Sequence, residues 1–221
     1  MHPDSFFRKE ILEDLRNRRG LLLKFALPAA LLLPLILSDA PVSLQAAGIT
    51  VAVVFSGVFG SSIGLVRLRE SGMLDRMAML PVSSGRLTAG YVLANALLDA
   101  AQVAVPLAAF LLVHPPAPEG VLFAVVSFAS AVVAANALGV LVAVAPGSSG
   151  EGHLYAVITV MAAIALSGLV APAPYTQGLL PFWYLYAALL ASPGAFVLSP
   201  LLAALLLGAV LAVSPGLFRY G

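Results

Sequence analysis

The chain contains no cysteine, and only 10% of its residues are charged. Without cysteine, disulfides, thiol catalysis and thiolate metal sites are excluded. A soluble domain carries about 25% charged residues, so this composition argues against a soluble protein. The histidines, His2, His114 and His153, lie too far apart in the sequence to predict a metal site.

Lysine is also scarce, since only Lys9 and Lys24 are present and neither follows a glycine. The chain therefore has no phosphate-binding loop and is not expected to hydrolyse ATP by that route alone. A His-Glu-x-x-His pair and paired intramembrane carboxylates are absent as well. We expect a non-catalytic protein with no cofactor or metal of its own and no nucleic-acid partner.

Apolar residues dominate what is there, at 61% of 221 residues. Crossing ~30 Å of hydrocarbon takes roughly 20 apolar helical residues. The chain supplies six such runs, at residues 21–38, 46–66, 87–113, 121–145, 153–171 and 197–217. The sequence thus predicts an all-α integral membrane protein with about six transmembrane helices in one domain, residues 21–221.

Residues 1–20 predict a separate amphipathic helix ahead of the first span. Phe7, Ile11 and Leu15 follow each other at four-residue spacing, and charged residues fill the opposite face. Such a helix can lie in the membrane interface with its apolar face at the acyl boundary. The alternative is a helix packed on the cytoplasmic surface of the protein.

Residues 172–198 predict a segment that does not cross the membrane. Four prolines leave only about 12 uninterrupted residues, which is too short for a span. We expect a re-entrant or interfacial segment on the outward side, before the last span. Aromatic rings are favoured at headgroup depth, where we place Tyr175, Phe182, Trp183, Tyr184 and Tyr186.

All eleven lysines and arginines fall on one side of the six-span arrangement. Six precede or begin the first span, four lie between the second and third spans, and Arg219 follows the last. The opposite loops carry only the acids Asp39 and Glu119. Because cytoplasmic loops are enriched in basic residues, we expect a cell-membrane protein with both termini in the cytoplasm.

The loop between the second and third spans, residues 67–86, predicts a short amphipathic helix over 73–80 that ends before a proline. Met73 and Met77 lie four residues apart, with an acid and a base elsewhere on the helical wheel. A helix presenting two exposed methionines and mixed charges suits docking to a partner protein. The alternative is a helical loop that merely caps the bundle.

This loop resembles a motif of the ABC type-2 permeases, the membrane subunits of exporters. In that family an Arg-Glu-x-Gly-x-x-(Asp/Glu)-Arg stretch and a Pro-Val-Ser turn follow the second span. The matching residues are Arg69, Glu70, Gly72, Asp75, Arg76, Pro81, Val82 and Ser83. A less specific match near the last span comprises Leu180, Pro181, Trp183 and Pro193. With the leading helix and the six spans, the resemblance extends over nearly the whole chain.

The resemblance implies a separate ATPase subunit, which binds ATP and Mg, and a homodimer or heterodimer of permeases around the transport path. Residues 9–19 would form a connecting helix and residues 73–80 a coupling helix. The residues implied at the ATPase interface are Arg69, Glu70, Gly72, Met73, Asp75, Arg76, Met77 and Pro81. The transported substrate does not follow from these residues.

Span three carries Asn95, Asp99 and Gln102 on one helix face. Asp99 lies about 18 Å along the helix, near the middle of the bilayer. An ionisable group there costs at least ~2.5 kcal/mol and indicates a functional role. We expect this stripe to face the transport path or the dimer interface; the alternative is a hydrogen-bonded knot inside one bundle.

Span two carries small residues every four positions, Ser56, Gly60 and Gly64, a spacing that lets helices approach closely. We expect them to serve helix packing rather than ligand binding.

Three functions compete. The exporter permease is favoured, and within that class the haem exporter subunit of cytochrome c maturation is an alternative of similar length and span number. An ion-coupled secondary transporter would show several midplane charges and a repeated pair of broken helices, whereas this chain offers Asp99 alone. A membrane enzyme or scaffold is the third class.

Overall fold

The computed structural model describes residues 18–79, 81–171, 174–191 and 197–217. Within these ranges the chain forms eight α-helices and one short 3-10 helix, Gln177–Leu179, and no strand. The α-helices are α1 (Arg18–Ile36), α2 (Val42–Glu70), α3 (Met73–Ala78), α4 (Ser84–Val113), α5 (Pro118–Val142), α6 (Ser149–Leu166), α7 (Pro181–Leu189) and α8 (Leu198–Leu217). The all-α prediction is confirmed for this part of the chain. The predicted amphipathic helix lies almost wholly outside the described residues, as do Leu80, Pro193 and Arg219.

Five of these helices are long and apolar enough to cross a membrane, namely α2, α4, α5, α6 and α8. Each coincides with one of the predicted apolar runs to within a few residues. At the first predicted span, α1 contributes a shorter apolar stretch, Leu22–Ile36. The described residues therefore have the architecture of a multi-pass membrane protein.

Two sets of contacts define the ends of the bundle. At one end, which we call the Arg69 end, the Arg69 guanidinium contacts the turn after α5. At the same end, the hydroxyl oxygen of Ser84 at the start of α4 lies 3.4 Å from that of Ser214 near the end of α8. At the other, the His114 end, the imidazole of His114 after α4 lies 2.9 Å from the amide oxygen of Gln45 in α2. Successive long helices thus run between the same two ends.

Helix α5 lies at the centre of the bundle and packs against α2, α4, α7 and α8. Its contact with α2 is close because each helix places a glycine against the other. A Cβ atom on Gly139 would lie 2.7 Å from the Val58 carbonyl oxygen and 2.9 Å from the Ser61 Cβ. Gly57 abuts Ala135 on the same contact. Small residues allow such backbone approach where larger side chains would separate the helices.

The small-residue stripe predicted on α2 is offset by one position from the surface that contacts α5. Gly57 and Ser61 face α5, whereas Gly64 adjoins the Tyr91 hydroxyl on α4. Gly60 is exposed, and the Ser56 hydroxyl bonds to its own helix at the Val53 carbonyl, 3.3 Å away. The predicted stripe therefore borders α4 more than the tightest helix contact.

Helix α7 has nine residues and spans about 13 Å at 1.5 Å per residue, too little to cross a bilayer. It packs against α5, α8 and α2, with Phe182 and Leu185 fully buried. The Phe182 ring therefore belongs to the main apolar core and is not exposed on the outside of the bundle. Tyr175 is 94% exposed, and Trp183 is half-buried.

Candidate functional site

A polar cluster lies among α2, α4 and α5. Asp99 on α4 is only 7% exposed, and its carboxylate accepts hydrogen bonds from the Asn136 amide at 2.9 Å and the Gln102 amide at 3.2 Å. The amide oxygen of Asn136 in turn accepts from the Ser61 hydroxyl. The three helices are therefore joined through the Ser61 hydroxyl, the Asn136 amide and the Asp99 carboxyl group.

Two of the three residues predicted on this face, Asp99 and Gln102, belong to the cluster. The third, Asn95, is half-buried and donates to its own helix at the Tyr91 carbonyl, 3.0 Å away. Asn136 and Ser61, both fully buried, complete the cluster and were not predicted from the sequence. A search for every amide inside an apolar run would have found Asn136.

Gly60 separates the Asp99 carboxylate from the surface of the bundle. A Cβ atom on Gly60 would lie 3.9 Å from both carboxylate oxygens, and Gly60 itself is exposed. The carboxyl group is therefore buried directly behind a residue without a side chain. In hydrocarbon, a group in this position needs the hydrogen bonds of its neighbours, because burying a polar group without partners is costly.

The Arg69 end presents a second candidate surface, formed by α3. Leu74 and Met77 are buried against a small apolar cluster with Leu65, Val66 and Tyr91. The expectation of two exposed methionines is therefore wrong for Met77, which is 6% exposed. Met73 is half-buried as well. The apolar side of this six-residue helix therefore packs against its own bundle, because that packing removes apolar surface from water.

The outward side of α3 carries Asp75 and Arg76, both exposed. Met79, the residue that follows the end of α3, is 79% exposed. Gly72 begins this helix with a φ of +65°, a left-handed conformation that favours glycine. Helix α3 lies across the end of the bundle, on an apolar cluster that α2, α4, α5 and α8 all contribute to. Of the residues predicted at a partner interface, Glu70, Asp75, Arg76 and Pro81 are exposed.

Arg69 and Glu70 at the end of α2 contact the turn between α5 and α6. The guanidinium of Arg69 donates to the carbonyl oxygens of Ala143 at 2.8 Å and Pro146 at 2.9 Å. The carboxylate of Glu70 accepts from the Ser149 backbone N–H at 2.6 Å and from the Ser149 hydroxyl. Both residues were predicted to contact a partner chain; in this structure they contact their own.

Hydrogen bonds from the side chain and then the backbone of Ser149 lower the pKa of the Glu70 carboxyl below its ordinary value, and the nearby Arg67 charge acts in the same direction. Glu70 lies past the apolar part of α2, next to two arginines, so it is exposed to solvent. The ionised form is therefore the one that holds Ser149.

We expect Glu70→Gln to lower the melting temperature at neutral pH and to have less effect in acid. Because folding lowers the pKa of Glu70, its stabilising effect is complete above pH 4.5 and is lost as the pH falls through the lowered pKa. Thermal unfolding of both proteins in detergent, between about pH 3 and pH 7, measures this difference. A difference that stays constant over the whole range would contradict it.

Comparison with protein-family profiles gave no match to this chain, and comparison with characterised protein sequences also gave none.

Proposed function

We propose that the chain is the membrane-spanning permease subunit of an ATP-binding cassette exporter, and that a separate ATPase subunit drives it. The observation that carries this proposal is the position of α3 and the charges it exposes. This short helix lies across one end of a membrane-type bundle, its outward side carries Asp75 and Arg76, and these residues belong to the stretch that resembles the permease motif. A partner that supplies ATP hydrolysis is required because the sequence has no phosphate-binding loop.

The Arg69 end faces the cytoplasm in this proposal. Arg67, Arg69, Arg76 and Arg86 are all at this end, whereas Asp39 and Glu119 are near the His114 end. Cytoplasmic loops carry the excess of basic residues. We take α1 as a sixth span, with the exposed Lys24 in its cytoplasmic half. The short helix α7 would then enter the outer half of the bundle without crossing it.

The Asp99 cluster supports a second candidate, an ion-coupled transporter. A carboxyl group buried in a membrane helix is a typical proton carrier, and Asp99 has the required burial. An ion-coupled transporter would be driven by a pH gradient and would need no ATPase subunit. The two candidates therefore differ in whether ATP or a proton gradient drives transport in vesicles.

The permease proposal predicts that a phosphate-loop ATPase encoded next to this chain co-purifies with it. Arg76→Glu changes an exposed side chain on α3, and Met79→Asp changes the exposed residue that follows α3. Each is expected to weaken this complex by about tenfold or more, as loss of an interface anchor does. Binding is measured with the purified ATPase and the permease in lipid nanodiscs.

Glu119→Lys serves as the control for this test, because it changes the charge by as much as Arg76→Glu but at the exposed start of α5, toward the His114 end. We expect it to leave the complex intact. An ATPase that fails to bind the parent chain would contradict the permease proposal. Equal binding by the parent chain and both α3 variants would contradict the assignment of α3 as the docking helix.

A further inference from the structure

Arg69 and Glu70 are consecutive residues of opposite charge, and each contacts the end of a different helix. Arg69 donates to the Ala143 carbonyl, at the C-terminus of α5, and to the Pro146 carbonyl just beyond it. Glu70 accepts from the backbone and hydroxyl of Ser149, the first residue of α6. These contacts join positions 74 to 79 residues apart. We call these two residues and their four hydrogen bonds the clamp.

The charges of the clamp match the helix ends that they contact. A helix C-terminus carries partial negative charge and unpaired carbonyls, which a guanidinium satisfies, whereas a helix N-terminus carries partial positive charge and unpaired N–H groups, which a carboxylate satisfies. The order is specific: exchanging the two charges would set each against the wrong helix end. Ser148 and Glu151 complete the capping of α6 through the Ser148 hydroxyl and the Gly147 N–H.

Arg69 is half-buried, and its guanidinium is held by its own chain. Its Nε atom is buried and has no hydrogen-bond partner among the described residues, and both terminal nitrogens are used by the turn after α5. A guanidinium in this position is not available to a docking partner without breaking bonds that it already makes. The pair therefore acts on the chain's own loops.

The clamp lies next to the attachment of α3. Leu74 and Met77 of α3 pack into the same apolar cluster as Val140 and Ala143 at the end of α5. Helix α3 is thus joined to α5 by apolar packing, and the chain just before it is joined to α5 and α6 by the clamp. We infer that Arg69 and Glu70 are positioning residues that make α3, the turn 143–149 and the start of α6 move as one body.

This inference rests on the proposed function for its consequence. When an ATPase pulls or pushes on the exposed side of α3, the clamp would pass the displacement to α5 and α6, two helices that are not covalently adjacent to α3. Without the clamp, α2 and α4, which flank α3 in sequence, and α5, which shares its apolar cluster, would still follow. The start of α6 would lose the hydrogen bonds that tie it to Glu70. A clamp variant should therefore bind the ATPase normally yet transport poorly.

The absence of cysteine makes a direct test possible, because introduced cysteines are the only sites that a thiol-directed spin label can modify. Met79→Cys and Gly150→Cys place labels on exposed positions beside α3 and at the start of α6. Pulsed electron paramagnetic resonance of the protein in nanodiscs measures their separation, without any partner. We expect one narrow distance peak in the parent, and a shift to longer separations with loss of that peak in Arg69→Met and Glu70→Ala.

Asp75→Ala is the matched control, since it removes an exposed carboxylate at the same end, and it should leave the peak unchanged. A second label pair at Asp39 and Ala117, exposed positions toward the His114 end, reports whether the bundle is intact. If a clamp variant also alters that pair, Arg69→Lys and Glu70→Gln take its place, with the same direction of shift expected. An unchanged 79–150 distance in the clamp variants would overturn the inference.

The ATPase-binding measurement separates this inference from the proposed function. Failure of any ATPase to bind the parent chain would contradict the proposed function and leave the distance result as evidence for the clamp alone. Conversely, the ATPase could bind normally while the distance between labels at 79 and 150 is the same in the parent, Arg69→Met and Glu70→Ala. That result would contradict the clamp and leave the proposed function standing.

Discussion

Replacing Gly139 with alanine is expected to destabilise the protein by about 1–3 kcal/mol, although alanine is the better helix former. The added Cβ would lie 2.7 Å from the Val58 carbonyl oxygen, which is backbone and cannot rotate away. Helices α2 and α5 would have to separate along their closest contact. Each buried apolar residue beside that contact, including Val54 and Ala135, would lose part of its packing.

Gly208→Ala on α8 is the matched control, because nothing lies within 4 Å of a Cβ atom at that position. There the better helix propensity of alanine is expected to stabilise by up to ~1 kcal/mol. Denaturant unfolding of both variants can be followed by the fluorescence of Trp183, the only tryptophan in the chain. A gain in stability at Gly139 equal to that at Gly208 would show that α2 and α5 do not approach closely.

Helix positions could be predicted from the sequence because each long apolar run is recognised by its own length and composition, without knowledge of the rest of the chain. The runs at 46–66 and 87–113 lie within α2 and α4, and the short helix after Gly72 was also anticipated. The extra length at the end of α2, residues 67–70, was missed because three of these four residues are charged.

Contacts between helices were harder to predict. Asp99 and Gln102 share a face by local spacing, but Asn136 is 37 residues away from Asp99 and enters the cluster only because α5 packs in one particular register. The stripe on α2 shows the same difficulty, since Gly57 and Ser61 face α5 while the predicted Gly60 is exposed. Shifting by one residue along a helix changes its face by about 100°, and a single sequence does not state which neighbour is there.

The residues at the Arg69 end illustrate a different ambiguity. A charged residue after a span looks the same in sequence whether it contacts a partner, solvent or its own chain. Arg69 and Asp75 differ only in the structure, where the first reaches the turn after α5 and the second is exposed. For the same reason Met77 was assigned to a partner surface, although its side chain completes the packing beneath α3.

The polar cluster and the clamp are both centred on the α2–α5 contact. Ser61 on α2 reaches Asn136 on α5 within the bundle, and Arg69 reaches the end of α5 about two turns farther along α2. Gly57 on α2 and Gly139 on α5 lie on the same contact between these two helices. Helices α2 and α5 therefore form the part of the bundle that is held by packing and by polar contacts together.

Asn136→Leu is expected to cost about 1–3 kcal/mol, because it removes the amide that donates to Asp99 and the oxygen that accepts from Ser61. Leucine has a similar volume, so the loss comes mainly from polar groups deprived of partners. In an Asp99→Leu background the same change should cost less, with a difference of ~0.6 kcal/mol or more, the typical size of such coupling in membrane proteins. Denaturant unfolding of the four proteins completes the cycle, and additive effects would show that the two side chains are not coupled.

Asp99→Asn then separates packing from transport, because it keeps a hydrogen-bonding group of the same shape and removes the charge. If the carboxyl only ties α4 to α5, this variant should unfold close to the parent and transport as the parent does at every pH. If the charge acts in translocation, the variant should still fold, while transport falls and loses its pH dependence. Asn95→Leu, at a residue bonded only to the Tyr91 carbonyl of its own helix among the contacts described here, should change neither property.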